Sequence, residues 1–154
     1  MLTLAFIARA SASPRVVSRV LTDSALVADW LPGFEAWREE PPALLSPNNT
    51  LRFRAKRHGV PVQAELHVLG VTPRRLRAQM RLGLLDFTAT FSISPAVDDA
   101  HATRLGLAIT VESELPVVGG SLDRFSVREQ ASQLAESMLA ALSAAAEKLR
   151  DGPA

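Results

Sequence analysis

The sequence predicts an α+β fold: roughly seven antiparallel strands and two short helices, with one long C-terminal helix packed across one face of the sheet. Three observations carry this. Between residues 51 and 115, apolar and polar side chains alternate in consecutive segments joined by short connections. The alternation is strict, so one face of the sheet is wet and the other is covered. After Pro116 the apolar spacing lengthens to that of a helix and stays so almost to the end of the chain.

Each element has its own justification. In residues 2–10, Leu2, Leu4, Phe6 and Ala8 share one side, which makes a strand. Ser13-Pro14 supplies an N-cap and a proline at the first helical position, and VVSRVL (16–21) continues as a short helix. Thr22 or Asp23 caps a second short helix, SALVADWL (24–31), which Pro32 ends. FEAWREE (34–40) is a strand before the Pro41-Pro42 break. On it Trp37 shares a side with Glu35 and Glu39, and Phe34, Ala36 and Arg38 share the other, with the inward side left open.

The central strands are clearer. LRFRAK (51–56) faces Leu51, Phe53 and Ala55 inward, and a turn at His58-Gly59 leads to VPVQAELHV (60–68) with Val60, Val62, Ala64, Leu66 and Val68 inside. After Thr72-Pro73, RLRAQMRL (75–82) turns Leu76, Ala78, Met80 and Leu82 inward; LDFTATFSI (85–93) does the same with Phe87, Ala89, Phe91 and Ile93. A polar loop at 98–101 precedes TRLGLAITVESEL (103–115), with Leu105, Leu107, Ile109 and Val111 inside. Val127, Ala131, Leu134, Met138, Ala141, Ala145 and Leu149 then mark one helix of about 25–30 residues, long against a mean near 11–12. Ser126–Glu129 matches a capping box, but inside a helix that begins earlier the match is accidental. Residues 150–154 are expected to fray, and residues 1–154 read as one domain.

Composition narrows the function. At 154 residues the chain can bury a sizeable core without staples. The absence of Cys excludes disulfides, thiol catalysis and Cys-based zinc sites. Seventeen basic against sixteen acidic residues leave a net charge of +1, too balanced for a nucleic-acid-binding surface. MLTLAFIARASA has no basic residue before its apolar run and is interrupted by Arg9, so it reads as a strand rather than a cleaved leader. No apolar stretch approaches the ~20 residues of a membrane span, and the reading is of a cytoplasmic protein. Asn48-Asn49-Thr50 is a polar turn that happens to match a glycosylation sequon.

Two stretches carry a resemblance. DSALVADWLPGFEAW (23–37) is similar to a helix that ends in Trp-x-Pro before a second strand; VVGGSLDRFSVREQASQLAESMLAAL (117–142) is similar to a Gly-Gly entry into a long terminal helix. With the element order, they make the chain resemble the START-like, or SRPBCC, superfamily over roughly residues 2–149. That superfamily includes Bet v 1-type, polyketide cyclase/dehydrase-like and coenzyme Q-binding proteins, and the Gly-Gly entry looks like that of its carbon monoxide dehydrogenase accessory branch. The chain departs from the full-length pattern in that its first strand begins almost at Met1. The resemblance implies a helix-grip: a curved sheet closed at one end by the short helices and crossed by the long helix, with a cavity between. Trp30 would sit at that seam, either plugging the core or lining a ligand entrance.

The expected cavity carries little chemistry. The inward positions of the central strands are Leu, Val, Ile, Ala, Met and Phe, and there is no Tyr in the chain. His58, His67 and His101 are scattered, with no metal-ligand spacing, and no nucleophile elbow, phosphate loop or dinucleotide fingerprint occurs. No catalytic residue, metal or cofactor is therefore assigned. An apolar pocket suits a hydrophobic small molecule: a lipid, an isoprenoid quinone or a polyketide-like ring. The expected lining is Trp30, Phe53, Leu66, Met80, Phe87, Phe91, Leu107, Ile109, Leu134 and Met138. Small inward residues such as Ala55, Ala64, Ala78 and Ala89 leave room for it. Ser126, Gln130, Gln133, Ser137, Asp29 and Arg38 are polar candidates at the flanks, read chiefly as solvated.

The wet face is basic. Arg52, Arg54, Arg77 and Arg81 form a candidate docking surface for an anionic membrane or an acidic protein, or a solvated face on which Glu65 pairs across strands. Three functions stay open. The first is a carrier of a hydrophobic ligand. The second is a cyclase- or dehydratase-type enzyme, which the resemblance permits. The third is an accessory or assembly module with no ligand.

Overall fold

A computed structural model describes residues 2–111 and 121–151, with side chains from Val127 to Arg150 in the second segment. Its elements are β1 (Leu2–Ala10), α1 (Pro14–Thr22), α2 (Ser24–Val27), β2 (Phe34–Trp37), β3 (Thr50–Arg57), β4 (Val60–Thr72), β5 (Arg75–Leu82), β6 (Leu85–Pro95), β7 (Thr103–Val111) and α3 (Ser121–Asp151). The seven strands form one antiparallel sheet in the order β1-β7-β6-β5-β4-β3-β2. Despite its start beside Met1, β1 pairs with β7 along its whole length, from Leu2↔Val111 to Ala10↔Thr103. At that second end Thr103, fully buried, donates its hydroxyl to Ala12 O at 2.7 Å. Among the described residues no helix is long and apolar enough to cross a membrane.

Local chemistry sets the elements. Ser13 caps α1 with Pro14 behind it, and Asp23 rather than Thr22 caps α2, its Oδ1 accepting from Ala25 N at 3.0 Å. The helix α2 has four residues and not the eight expected, since i→i−3 bonds such as Asp29 N to Leu26 O at 3.0 Å replace the α pattern after Val27. The chain instead tightens, with Trp30 N bonded to Val27 O at 3.1 Å. Ser24, buried at the α1–α2 junction, donates to Ala43 O at 2.8 Å, and Leu45 N bonds to Thr22 O at 2.9 Å. The segment after β2 is thereby clipped to the helices.

At the β3–β4 hairpin, His58 and Gly59 both have positive φ (51° and 77°), the type I′ geometry that matches strand twist. Val60, expected inside, is 59% exposed because it stands beside this turn, past the end of the cover. The strand β2 is also shorter than expected: it stops at Trp37, and its register with β3 shifts between Phe34 and Ala36. That bulge places two residues against one and cancels the period-two rule. Phe34 and Trp37 therefore share a face, their rings 4.8 Å apart, and both stand against Phe53.

Helix α3 has 31 residues and begins at Ser121, which leaves the capping-box match well inside it. Its buried stripe is Ala131, Ala135, Met138, Leu139, Leu142 and Ala146, turned about one residue from the expected one; Leu134, Ala141 and Ala145 are half-buried at its margin. Alanine makes this helix apolar over a wide arc, so spacing alone did not fix which part of the arc faces in. Near its C-terminal end Ser11 N donates to Glu147 Oε1 at 3.0 Å and Arg150 donates to Ser11 O; residues 152–154, most of the tail expected to fray, lie outside the described residues. Residues 112–120, which include the end of the expected last strand and Gly119-Gly120, lie outside the described residues.

Candidate functional site

The concave face of the sheet is apolar along every strand, as alternation requires. Nine of the ten expected lining residues lie in one buried cluster: Trp30, Phe53, Leu66, Met80, Phe87, Phe91, Leu107, Ile109 and Met138, none more than 3% exposed. Leu134 is half-buried at its margin. Trp30 donates its indole N–H to Val20 O at 3.1 Å and sets its ring edge-on to Phe91 at 5.0 Å. It thus ties α1, the turn after α2 and β6 together. The small residues Ala55, Ala64, Ala78 and Ala89 are likewise closed off from solvent.

Half-buried apolar side chains border this cluster on several sides, Phe6, Ala8, Val16, Leu26, Trp37 and Val71 among them. Leu2, Leu4, Phe34, Val62, Val127 and Leu134 face the core cluster but are only half-buried. Register places Phe34 and Val62 together, both paired with Ala55 beside the 58–59 turn, while Leu2 and Leu4 stand across the sheet on the opposite border strand, β1. Helix α3 brings Val127 and Leu134 toward Phe34 and Val62. It runs diagonally, its later turns bonded to Arg9 and Ser11 through Ser143 and Glu147, its earlier turns reaching β3 through Gln130. Val127 and Leu134 stand three residues before and four after Gln130, so the three share one side of the helix.

A charge sits where β3 meets α3. Leu51, Phe53, Ala55 and Arg57 alternate onto the same face of β3, and Arg57 is half-buried there. It is the only Asp, Glu, Lys, Arg or His on the concave face of the seven strands among the described residues. Its Nη2 donates to Gln130 Oε1 at 3.0 Å. No carboxylate pairs with it among the described residues, and burial pulls its guanidinium pKa below the ordinary value. The strand was expected to end at Lys56, one position short, which left Arg57 out of the site. The signal that finds it is an alternation that continues unbroken through Arg57.

The other polar candidates do not converge. Gln133, Ser137, Asp29 and Arg38 are exposed, and Ser126 falls outside the described side chains. No group of three or more acidic or His side chains able to hold a metal occurs among the described residues.

On the convex face one row alternates in sign across the sheet. Glu39 and Glu65 flank Arg52 at 3.1 and 3.3 Å, and Arg81 bonds Asp86 at 2.8 Å, with Glu65 and Arg81 in register. Glu39 and Glu65 raise the Arg52 pKa, and Asp86 raises that of Arg81. Beside the row lies an open depression of about 230 Å³ lined by Thr50, Glu65, His67, Gln79 and Arg81 among others. Two of the four arginines expected to dock a partner are thus already engaged. Arg54 and Arg77 remain exposed without an ion pair among the described residues.

No protein-family model matches the chain, and no curated protein does. Solved structures do. A START superfamily protein from Mycobacterium smegmatis superposes with a TM-score of 0.73 at 20% identity, over 96% of this chain and 98% of that one. The fold is START-like. The protein TTHA0849 from Thermus thermophilus gives a TM-score of 0.70 at 22% identity, with 96% and 99% of the two chains covered. The Bet v 1 allergen Ara h 8.0201 gives 0.67 at 8% identity, over 96% and 98%. The START-like architecture persists where identity is this low because alternation, turns and an apolar helix arc are enough to encode it.

Proposed function

We propose that the chain binds a hydrophobic small molecule, such as a lipid, quinone or polyketide-like ring, at the mouth between α3 and the end of the sheet marked by the 58–59 turn. The observation that carries this reading is the set of half-buried apolar side chains beside Ala55 and Gln130: Phe34 and Val62, paired with Ala55, and Val127 and Leu134 on the Gln130 side of α3. Folds of this START-like type commonly bind hydrophobic ligands. Water over such a surface is displaced favourably, at ~0.8 kcal/mol per CH₂ buried. Because the interior beneath is tightly closed from Trp30 to Met138, the ligand rests first on the mouth residues. Deeper entry requires Leu134 and Phe34 to move aside.

Catalysis finds little support. A cyclase or dehydratase needs an acid or base beside the reacting atoms, and Arg57, charged at all ordinary pH, is a poor proton donor or acceptor. The closed interior favours a second reading, an accessory module without a ligand.

Uptake of Nile red separates the two. Saturable binding is expected in the wild type, and Leu134→Glu, a half-exposed position that tolerates charge in the free protein, is expected to weaken it by roughly ten-fold or more. Binding unchanged in the folded variant, or no saturable binding at all, would overturn the mouth as the site.

A further inference from the structure

We infer that the ligand of the mouth is an amphiphile with a carboxylate head, anchored on Arg57 while its apolar chain lies against Leu134, Val62 and Phe34. This rests on the proposed hydrophobic site and names the chemistry of its occupant.

The geometry points to a ligand rather than to a structural ion pair. Arg57 continues the apolar stripe of Leu51, Phe53 and Ala55, so its side chain stands on the concave side, at the rim beside Val60, and reaches Gln130 of α3 instead of the solvent beyond the convex face. The neighbouring cations of β3 behave otherwise. Arg54 and Lys56 point outward and are exposed, and Arg52, also on that side, is neutralised by Glu39 and Glu65. Arg52 and Arg57 are both half-buried, but Arg52 meets two carboxylates, whereas the partner of Arg57 among the described residues is a neutral amide oxygen. A guanidinium carries five N–H donors in a planar fork, and the contact to Gln130 uses Nη2. The rest of the fork suits two carboxylate oxygens at once. Partial desolvation strengthens that pairing relative to bulk water.

The hydrogen bond to Gln130 sets the fork's position. It ties the end of β3 to the early part of α3, so the head group would sit where strand and helix meet. Val127 and Leu134 lie on the same side of α3, one turn to either side, ready to take the first methylenes of the chain.

The test compares two probes with the same chain. cis-Parinaric acid carries a free carboxylate, and its methyl ester does not; both gain fluorescence in an apolar site. Wild-type protein is expected to bind the acid roughly ten-fold more tightly than the ester, the discrimination of one charge-assisted pair. In Arg57→Leu the preference is expected to vanish through weaker acid binding, with ester binding kept. In Arg57→Lys, which retains charge but loses the fork, an intermediate preference is expected. Equal binding of acid and ester by the wild type would overturn the anchor and leave the hydrophobic site standing. A preference that survives in Arg57→Leu would do the same. Binding of neither probe would overturn the hydrophobic site and the anchor together.

Discussion

Trp30 and Phe91 meet edge to face at 5.0 Å, and the indole N–H beyond that contact reaches Val20 O at 3.1 Å. One side chain therefore joins the helical cap to the middle of the sheet. Trp30→Phe keeps most of the apolar surface but leaves the Val20 carbonyl without its donor and opens space beside Phe91. The expected cost is about 2–4 kcal/mol of unfolding free energy, from the orphaned acceptor and the void together. Urea unfolding followed by far-ultraviolet circular dichroism measures it; a loss below about 1 kcal/mol would deny Trp30 this joining role.

Gly33 has φ +63°, and a Cβ built on it falls inside contact distance of Lys56 O. Its own carbonyl accepts from Lys56 N at 2.9 Å, so the two backbones cannot separate without breaking the start of β2. Gly33→Ala is expected to destabilise by at least about 1–3 kcal/mol from backbone strain, with the clash added. A thermal midpoint equal to the wild type's would contradict this. Because Phe34 follows directly, the same variant is expected to weaken Nile red uptake.

Arg54 and Arg77 are the docking candidates left after Arg52 and Arg81 are subtracted. We propose that they bring the convex face to an anionic membrane, which suits the delivery of an amphiphile. Co-sedimentation with phosphatidylserine-containing vesicles is expected for the wild type and not with phosphatidylcholine alone. It should weaken as salt rises and fall in the double variant Arg54→Glu/Arg77→Glu by about 1 kcal/mol or more per charge. Binding indifferent to salt and to both substitutions would remove the membrane from the proposal.

The START-like fold was largely legible because its strands alternate so regularly. Leu76, Ala78, Met80 and Leu82 are all buried, and Arg75, Arg77, Gln79 and Arg81 are all exposed. What was illegible depended on partners distant in the chain. The bulge that turns Trp37 toward Phe34 exists only in the pairing of β2 with β3, and one inserted residue reverses every later assignment on the strand. The closure of the interior depends on how Trp30 lands on Phe91, sixty-one positions away in sequence, which no local pattern encodes. Arg57 is the opposite case. Its facing is written in the spacing, but a cation beside a turn reads more readily as loop than as the last inward residue of a strand.

The border strand β2 has a further effect. It is four residues long, kinked by its bulge, and soon followed by Pro41 and Pro42, which offer no N–H. A neighbouring molecule trying to add its own strand here would find too few aligned donors and acceptors to hold on. In a crowded cell, that discourages edge-to-edge polymerisation and keeps this rim from seeding fibres.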